Sequence, residues 1–344
     1  MLAARDRKDR RLGGEVKTRI LLLIFLCCGC ISLNPVAADS LEIREWLVPW
    51  KGTVPRDPFV DSSGRVWFVG QTDDYIGNFN PANGLFNRYD VPAGSGPHSL
   101  IVDNDRNIWF AANRKRFIGK LSPSNGQITE FEMPNRKAKD PHTMVFDQAG
   151  DIWFTVQKGN FIGKLSTADG SIQLIEIASK KIRPYGIIVD RDNMPWAVAF
   201  GSNKLLQIFP ATMTLAEIEL PDPNSRPRRL VSTSNGDIWY VDFELGRLGR
   251  YNALRNEFSE WFMPGGEDSR PYGMAVDKND RIWIVETGTQ PNRMVGFDSA
   301  TGSFLNETDI PSGAVSVRNM YYHEAAGEVW FGTDSNYIGR AKVH

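Results

Sequence analysis

Beyond residue 30 this chain has no cysteine: Cys27, Cys28 and Cys30 are its only three, and all lie in one apolar segment. Disulfides therefore cannot brace the bulk of the molecule, and its stability must come from packing. Charge of either sign is not in excess. With 40 Lys+Arg against 41 Asp+Glu the formal charge is −1, which argues against a nucleic-acid partner. No extended window carries the 3.6-residue periodicity of an amphipathic helix, so a helical bundle is excluded. Long apolar runs are missing as well. The longest, Ile20–Leu33, has 14 residues and is too short to cross a bilayer comfortably.

That run has the features of an export signal. Arg5, Arg7, Lys8, Arg10, Arg11, Lys17 and Arg19 precede it, and the small-residue sequence Val36-Ala37-Ala38 follows. We expect residues 1–38 to be the signal, 39–344 a single domain, and the location periplasmic or secreted. Cleavage after Ala38 removes seven basic and three acidic residues. It leaves 33 Lys+Arg against 38 Asp+Glu, no cysteine and no membrane span.

What the chain does have is tryptophan at regular intervals. Trp67, Trp109, Trp153, Trp196, Trp239, Trp283 and Trp330 are separated by 42, 44, 43, 43, 44 and 47 residues. A period of about 40–45 residues is that of a four-stranded propeller blade. The second repeat shows the unit. Ser99–Val102, Ile108–Ala111, Phe117–Leu121 and Ile128–Glu132 read as strands, broken by Asp/Asn/Gly turns. Each Trp is expected in the core between blades. Gly77, Gly119, Gly163 and Gly249 each fall ten residues after a Trp, where glycine would admit a close neighbour, with the adjacent blade as the expected one. The last repeat stops after its third strand, while a spare strand, Leu41–Leu47, precedes the first. The fold is therefore expected to be all-β, a seven-bladed β-propeller whose last blade is closed by the N-terminal strand. A closed ring of this kind is expected to be monomeric.

In such a ring the start of each first strand lies beside the end of the second, at one mouth. The residues eleven before each Trp are Arg56, His98, His142, Tyr185, Arg228, Tyr272 and Asn319. Those three after it are Gly70, Ala112, Val156, Ala199, Asp242, Glu286 and Thr333. A purely structural repeat has no need to vary between His, Arg, Tyr and carboxylate at these positions, so the mouth is the expected ligand site. Blades five and six stand out, with Asp242, Glu286, Arg226, Arg228, Arg229, Arg270 and Tyr272. Blade six adds a longer loop, Thr287–Pro291, which would form a lip.

The recurring Pro-[His/Tyr]-Gly…Asp…Trp-[Phe/Ile] pattern resembles the streptogramin B lyases, the virginiamycin B lyase family. Its clearest segments are Pro141-His142-Thr143-Met144, Asp151–Thr155, Pro271-Tyr272-Gly273-Met274 and Ile282–Glu286, and the likeness runs through residues 41–343. The resemblance implies ring opening of a cyclic depsipeptide by elimination, with a histidine base and Mg²⁺ held by carboxylates. Its catalytic positions fall on Tyr272, Arg270 and Glu286 of blade six and Arg228 of blade five, so only Glu286 keeps the family's residue type. Arg270 beside Glu286 would form an ion pair. Displaced round the ring, His98 and His142 with Asp140 reproduce two histidines and one carboxylate.

Two kinds of function follow. In a carbon–oxygen lyase, His142 or His98 would be the base, with Tyr272 at the mouth and Glu286 and Asp140 as the candidate Mg²⁺ ligands. In a non-catalytic propeller, Arg228, Arg56 and Arg270 with Tyr185 would bind an anionic small molecule or a cell-envelope partner. A lactonase-type propeller would need a metal in the central channel, for which the chain offers only Glu286 and Asp242.

Overall fold

The computed structural model describes residues 40–343, so the expected signal segment lies outside the described residues. Strands form seven antiparallel sheets of four, each ordered from the channel outward. Blade one is 55–90, blade two 97–132, blade three 141–176, blade four 184–219, blade five 227–262 and blade six 271–309. Blade seven is 317–342 completed by the strand Ile43–Leu47, which pairs with Tyr337–Lys342 through Trp46↔Ile338 and its neighbours. Trp46 stacks on Trp330 with centroids 5.6 Å apart and lies 5.0 Å from Phe79 of blade one. The ring is thus closed by sheet pairing and by an aromatic wedge between its first and last blades. Among the described residues no helix is long and apolar enough to cross a membrane.

The core lies between blades. One buried cluster joins Ile101, Trp109 and Ile118 of blade two to Met144, Phe154 and Phe161 of blade three. Each indole is held by its edge. Trp67, Trp109, Trp153, Trp196 and Trp283 donate Nε1–H to Asp61, Asp103, Asp147, Asp190 and Asp277, six residues earlier. In blade five Thr233 takes that place for Trp239. A buried indole N–H needs an acceptor, which explains the Asp turn before five of the seven Trp; in blade seven Trp330 donates instead to Glu328, two residues earlier.

The strand glycines do not face another blade. A Cβ on Gly77, Gly119, Gly163 or Gly249 would come within 2.1–2.2 Å of the ring of Phe68, Phe110, Phe154 or Tyr240. These aromatics sit directly opposite on the second strand of the same blade. The close neighbour is a side chain within the blade, and the expectation of an adjacent-blade contact is corrected on that point.

Every pair of first and second strands carries a register shift near the mouth, for example between Pro141 and Met144 and between Pro227 and Arg229. A bulge re-aims side chains. Its consequence here is that consecutive residues, such as His142 and Thr143 or Arg228 and Arg229, both reach the central channel.

Candidate functional site

The channel end of the mouth is filled by side chains eleven before the Trp in blades one to six and, in blade seven, by Arg318 rather than Asn319. The register there sets Val317 opposite Thr333 and so moves the rim position back by one residue. The His98 and His142 rings, tilted 37° to one another, have centroids 3.6 Å apart, and Tyr185 lies 4.2 Å from His142. The Tyr185 hydroxyl meets that of Tyr272 across the channel. His142 is 2% exposed and Tyr272 1%. His98, His142, Tyr185 and Tyr272 are therefore brought together as a buried block at the base of the mouth.

Below them Arg229 crosses the channel. Its Nε donates to Arg318 O at 2.9 Å and its Nη1 to Thr143 Oγ1 at 3.2 Å, while Nη2 lies 3.8 Å from buried Asp57. Arg56 Nη1 is 3.4 Å from His98 Nε2, and Arg318 donates to Asp334 through Nε at 3.1 Å. Arg229 and Asp57 sit one residue beyond the rim position. Alternation along a regular strand would have turned them away from the channel, and the bulge is what returns them.

Arg229 can only donate, so the Thr143 hydroxyl that accepts from it is free to donate to His142 Nδ1, 2.9 Å away. With that donation made, the proton of a neutral His142 ring sits on Nε2. Both imidazoles are held neutral. Burial pushes His98 well below the usual histidine range, with His142, Arg56 and Arg229 adding to it, and burial with Arg229 and Arg56 does the same to His142. Burial also raises the Tyr185 phenol and the Asp57 carboxyl. Tyr272 goes the other way: burial alone would raise it, but Arg229, Arg228 and Arg318 bring it below the ordinary tyrosine value.

A pH dependence follows. The two histidines protonate near pH 6.5 when unfolded but resist protonation in the fold. The unfolded chain therefore binds more protons below pH 6.5, and stability falls as the pH falls. Each should cost up to about 1.4 kcal/mol per pH unit below that point. We expect the melting temperature to drop between pH 7 and 5, and His98→Gln/His142→Gln to flatten the profile. An equally steep profile in the double variant would contradict the assignment.

Above this block the mouth is cationic and aromatic. The Arg228 guanidinium lies 3.5 Å from the Phe243 ring centroid, 4.5 Å from Phe200 and 4.6 Å from Tyr272. Among the described residues no carboxylate lies within 4.0 Å of it, and its Nε has no hydrogen-bond partner. A cavity of about 310 Å³ opens beside it, lined by Lys181, Arg183, Phe200, Gly201, Arg226, Arg228 and Glu244. Arg183 and Arg270 occupy the same place in their blades, with left-handed backbone at φ 51° and 49°. Side chains with a Cβ adopt it at a cost of about 1–3 kcal/mol.

The carboxylates behave differently. Glu286 is fully buried, and it accepts from Gly265 N–H at 2.7 Å and from the Arg293 guanidinium. The expected Arg270–Glu286 ion pair does not form; Arg270 bonds Glu244 at 2.8 Å instead. Glu286 lies opposite Pro271 in the register, so it and Tyr272 turn to opposite faces of the blade. Asp140 accepts from Lys158 N–H at 2.7 Å and Gly159 N–H at 3.0 Å. Asp242 Oδ1 accepts from the amides of Arg226, Glu244 and Leu245. All three staple loops to one another. The loop Thr287–Pro291 folds back on blade six, with Thr287 donating from N and Oγ1 to Arg270 O.

A Mg²⁺ ion requires near-octahedral oxygen ligation. Both oxygens of Glu286 and of Asp140 are already engaged by donors, and among the described residues no three His, Cys, Asp or Glu side chains converge. These residues do not fit Mg²⁺.

The sequence matches the virginiamycin B lyase family over residues 36–294. No curated protein matches it. Among solved structures, a streptogramin B lyase shares 26% identity at a TM-score of 0.80, over 89% of this chain and 98% of that one. A catalytically inactive histidine-to-alanine virginiamycin B lyase from Staphylococcus aureus, determined with quinupristin, shares 24% over 88% and 100%, also at 0.80. The WD40 propeller domain of Doa1 aligns at 0.70 with 13% identity, over 90% of this chain and 97% of that one, which is a likeness of fold alone. With the family matched across three-quarters of its length and the ring closed as the repeats require, the chain belongs to the virginiamycin B lyase family.

Proposed function

We propose that this protein is an exported, periplasmic or secreted, binding propeller that holds an anionic small molecule at its mouth, with Arg228 as the principal anchor. One observation carries the reading: a guanidinium framed by three aromatic rings, beside a cavity, with no carboxylate of its own. A carboxylate or phosphate would supply the missing partner, and Lys181, Arg183 and Arg226 would add to the attraction. The rings limit water around the guanidinium, which strengthens a charge-assisted bond. Arg56 and Arg270 support this less directly, since each already faces Asp334 or Glu244.

The test is calorimetric titration with phenyl phosphate, benzoate and benzamide. The two anions should bind and uncharged benzamide should not. Equal affinity for all three would sink the anion reading.

A second reading is a lyase without the metal-binding carboxylates. It is favoured by Tyr272, whose phenol is held below its ordinary value by three guanidiniums and is linked through Tyr185 to the neutral His142. Either residue would take the α-proton of a cyclic ester. The pair of electrons would form the Cα–Cβ double bond as the Cβ–O bond breaks. The ring-opened product of such an elimination has the mass of its substrate, whereas hydrolysis adds water. Incubation with quinupristin and Mg²⁺, followed by chromatography and tandem mass spectrometry, separates the cases. On the binding reading the ring stays closed while a working lyase opens it. Ring opening lost in Tyr272→Phe would overturn the binding reading.

A further inference from the structure

The loops at the mouth end of blades two to four form one basic crescent. The hairpin of blade two carries Arg114, Lys115 and Arg116, and the next connection carries Arg136, Lys137 and Lys139. The hairpin of blade three adds Lys158, and the connection to blade four adds Lys180, Lys181 and Arg183. All but Arg116 are exposed. Within these loops the sole acid is Asp140, buried against the amides of Lys158 and Gly159. Among the described residues only Arg116 and Lys137 have a carboxylate within 4.0 Å, Glu132 and Glu176, each at 3.9 Å.

Hydrogen bonds join the loops edge to edge. Arg114 N donates to Ser95 O, Asn113 Nδ2 to Pro141 O, and Asn160 Nδ2 to Ile177 O and Ser179 O; Gly201 N donates to Ile182 O. The loops that carry the positive charges are therefore held in order along a curved track. Its last members, Lys181 and Arg183, also line the Arg228 cavity. On the remaining blades the same end carries Asp73, Asp74, Glu244, Glu267, Asp268 and Asp334, mixed with Lys51, Arg226 and Arg270. The mouth face is thus charged unequally on its two sides.

We propose that this crescent is a binding track for a linear polyanion bearing repeated carboxylate or phosphate groups. Uncompensated Lys and Arg side chains carried on joined loops attract such a chain and release its counterions. A flat anionic membrane fits less well. It would meet the acidic side of the same face, and the large apolar residues of these loops, Met133, Ile177 and Ile182, are buried, leaving only the small Pro134 and Ala178 exposed. A nucleic acid fits less well too, because single strands bind through stacked bases and none of the crescent loops contains an aromatic residue.

The track stands independently of Arg228 and is tested separately from it. The full-length protein would be titrated with fluorescently labelled polygalacturonate and polyphosphate at 50 and 200 mM NaCl, with dextran as the uncharged control. At least one polyanion should bind, with affinity falling on the order of tenfold or more over that salt range. The polymer preferred identifies the repeating group. Lys115→Glu/Arg136→Glu/Lys180→Glu should weaken binding more than tenfold with an unchanged melting temperature, since all three side chains are exposed. Arg228→Ala should retain polymer binding. No polyanion binding at 50 mM, binding unaltered in the triple variant, or tighter binding to single-stranded DNA or to phosphatidylglycerol vesicles would each overturn the proposal.

Discussion

Replacing Arg228 with Ala is expected to lower affinity for phenyl phosphate roughly 10- to 100-fold, the equivalent of a lost charge-assisted hydrogen bond of about 1.5–3 kcal/mol. The guanidinium sits 3.5 Å from the Phe243 centroid and has no carboxylate partner among the described residues, so its charge is available to a ligand. Arg228→Lys should recover part of the loss. The ammonium keeps the charge but loses the planar contact with Phe200, Phe243 and Tyr272 and the two-pronged hydrogen bond. Glu286→Gln is the control that separates binding from metal chemistry. It should destabilise the fold by about 1–2 kcal/mol, because Arg293 and Gly265 N–H lose a charged acceptor. Its anion affinity should be unchanged. Affinity that survives in Arg228→Ala but disappears in Glu286→Gln would reverse these roles.

Deletion of residues 41–47 is expected to have the largest effect on folding. It would strip Tyr337–Lys342 of its outer partner, leave an open edge in blade seven, and remove Trp46 from between Trp330 and Phe79. An open edge of this kind recruits other chains, so the truncated protein should aggregate or fail to accumulate. The milder change, Trp46→Ala, keeps the backbone pairing and should cost about 3 kcal/mol, seen as a melting temperature lower by roughly 5 °C or more. A monomeric truncation melting like the parent would mean that the ring does not depend on its N-terminal strand.

The blade count was legible because one large residue recurs where geometry demands it. Six of the seven Trp are tied by Nε1 to an Asp, or in blade five a Thr, six residues earlier, so both residues recur together. The spare strand was legible because an open propeller has an edge to cover. The mouth residues were locatable by counting, and His98, His142, Tyr185 and Tyr272 do meet. Counting could not say which way a neighbouring carboxylate points. Glu286 is level with the rim but opposite Pro271, so it turns toward the connecting loop and Arg293 rather than the channel. The same one-residue parity hid the Arg229–Asp57 plug. Its signal was the polar pair at consecutive positions in Arg56-Asp57 and Arg228-Arg229, which a regular strand would not aim the same way. The glycines misled for a related reason, since what they admit is a ring directly across the sheet.

Recognition by guanidinium, with the buried acids reserved for holding loops, is tested most directly by a crystal grown with phenyl phosphate and Mg²⁺ together. The phosphate oxygens should lie within hydrogen-bonding distance of Arg228, with Glu286 still on Gly265 N–H and Arg293. A Mg²⁺ ion on Glu286 that carries the ligand, with Arg228 untouched, would contradict it.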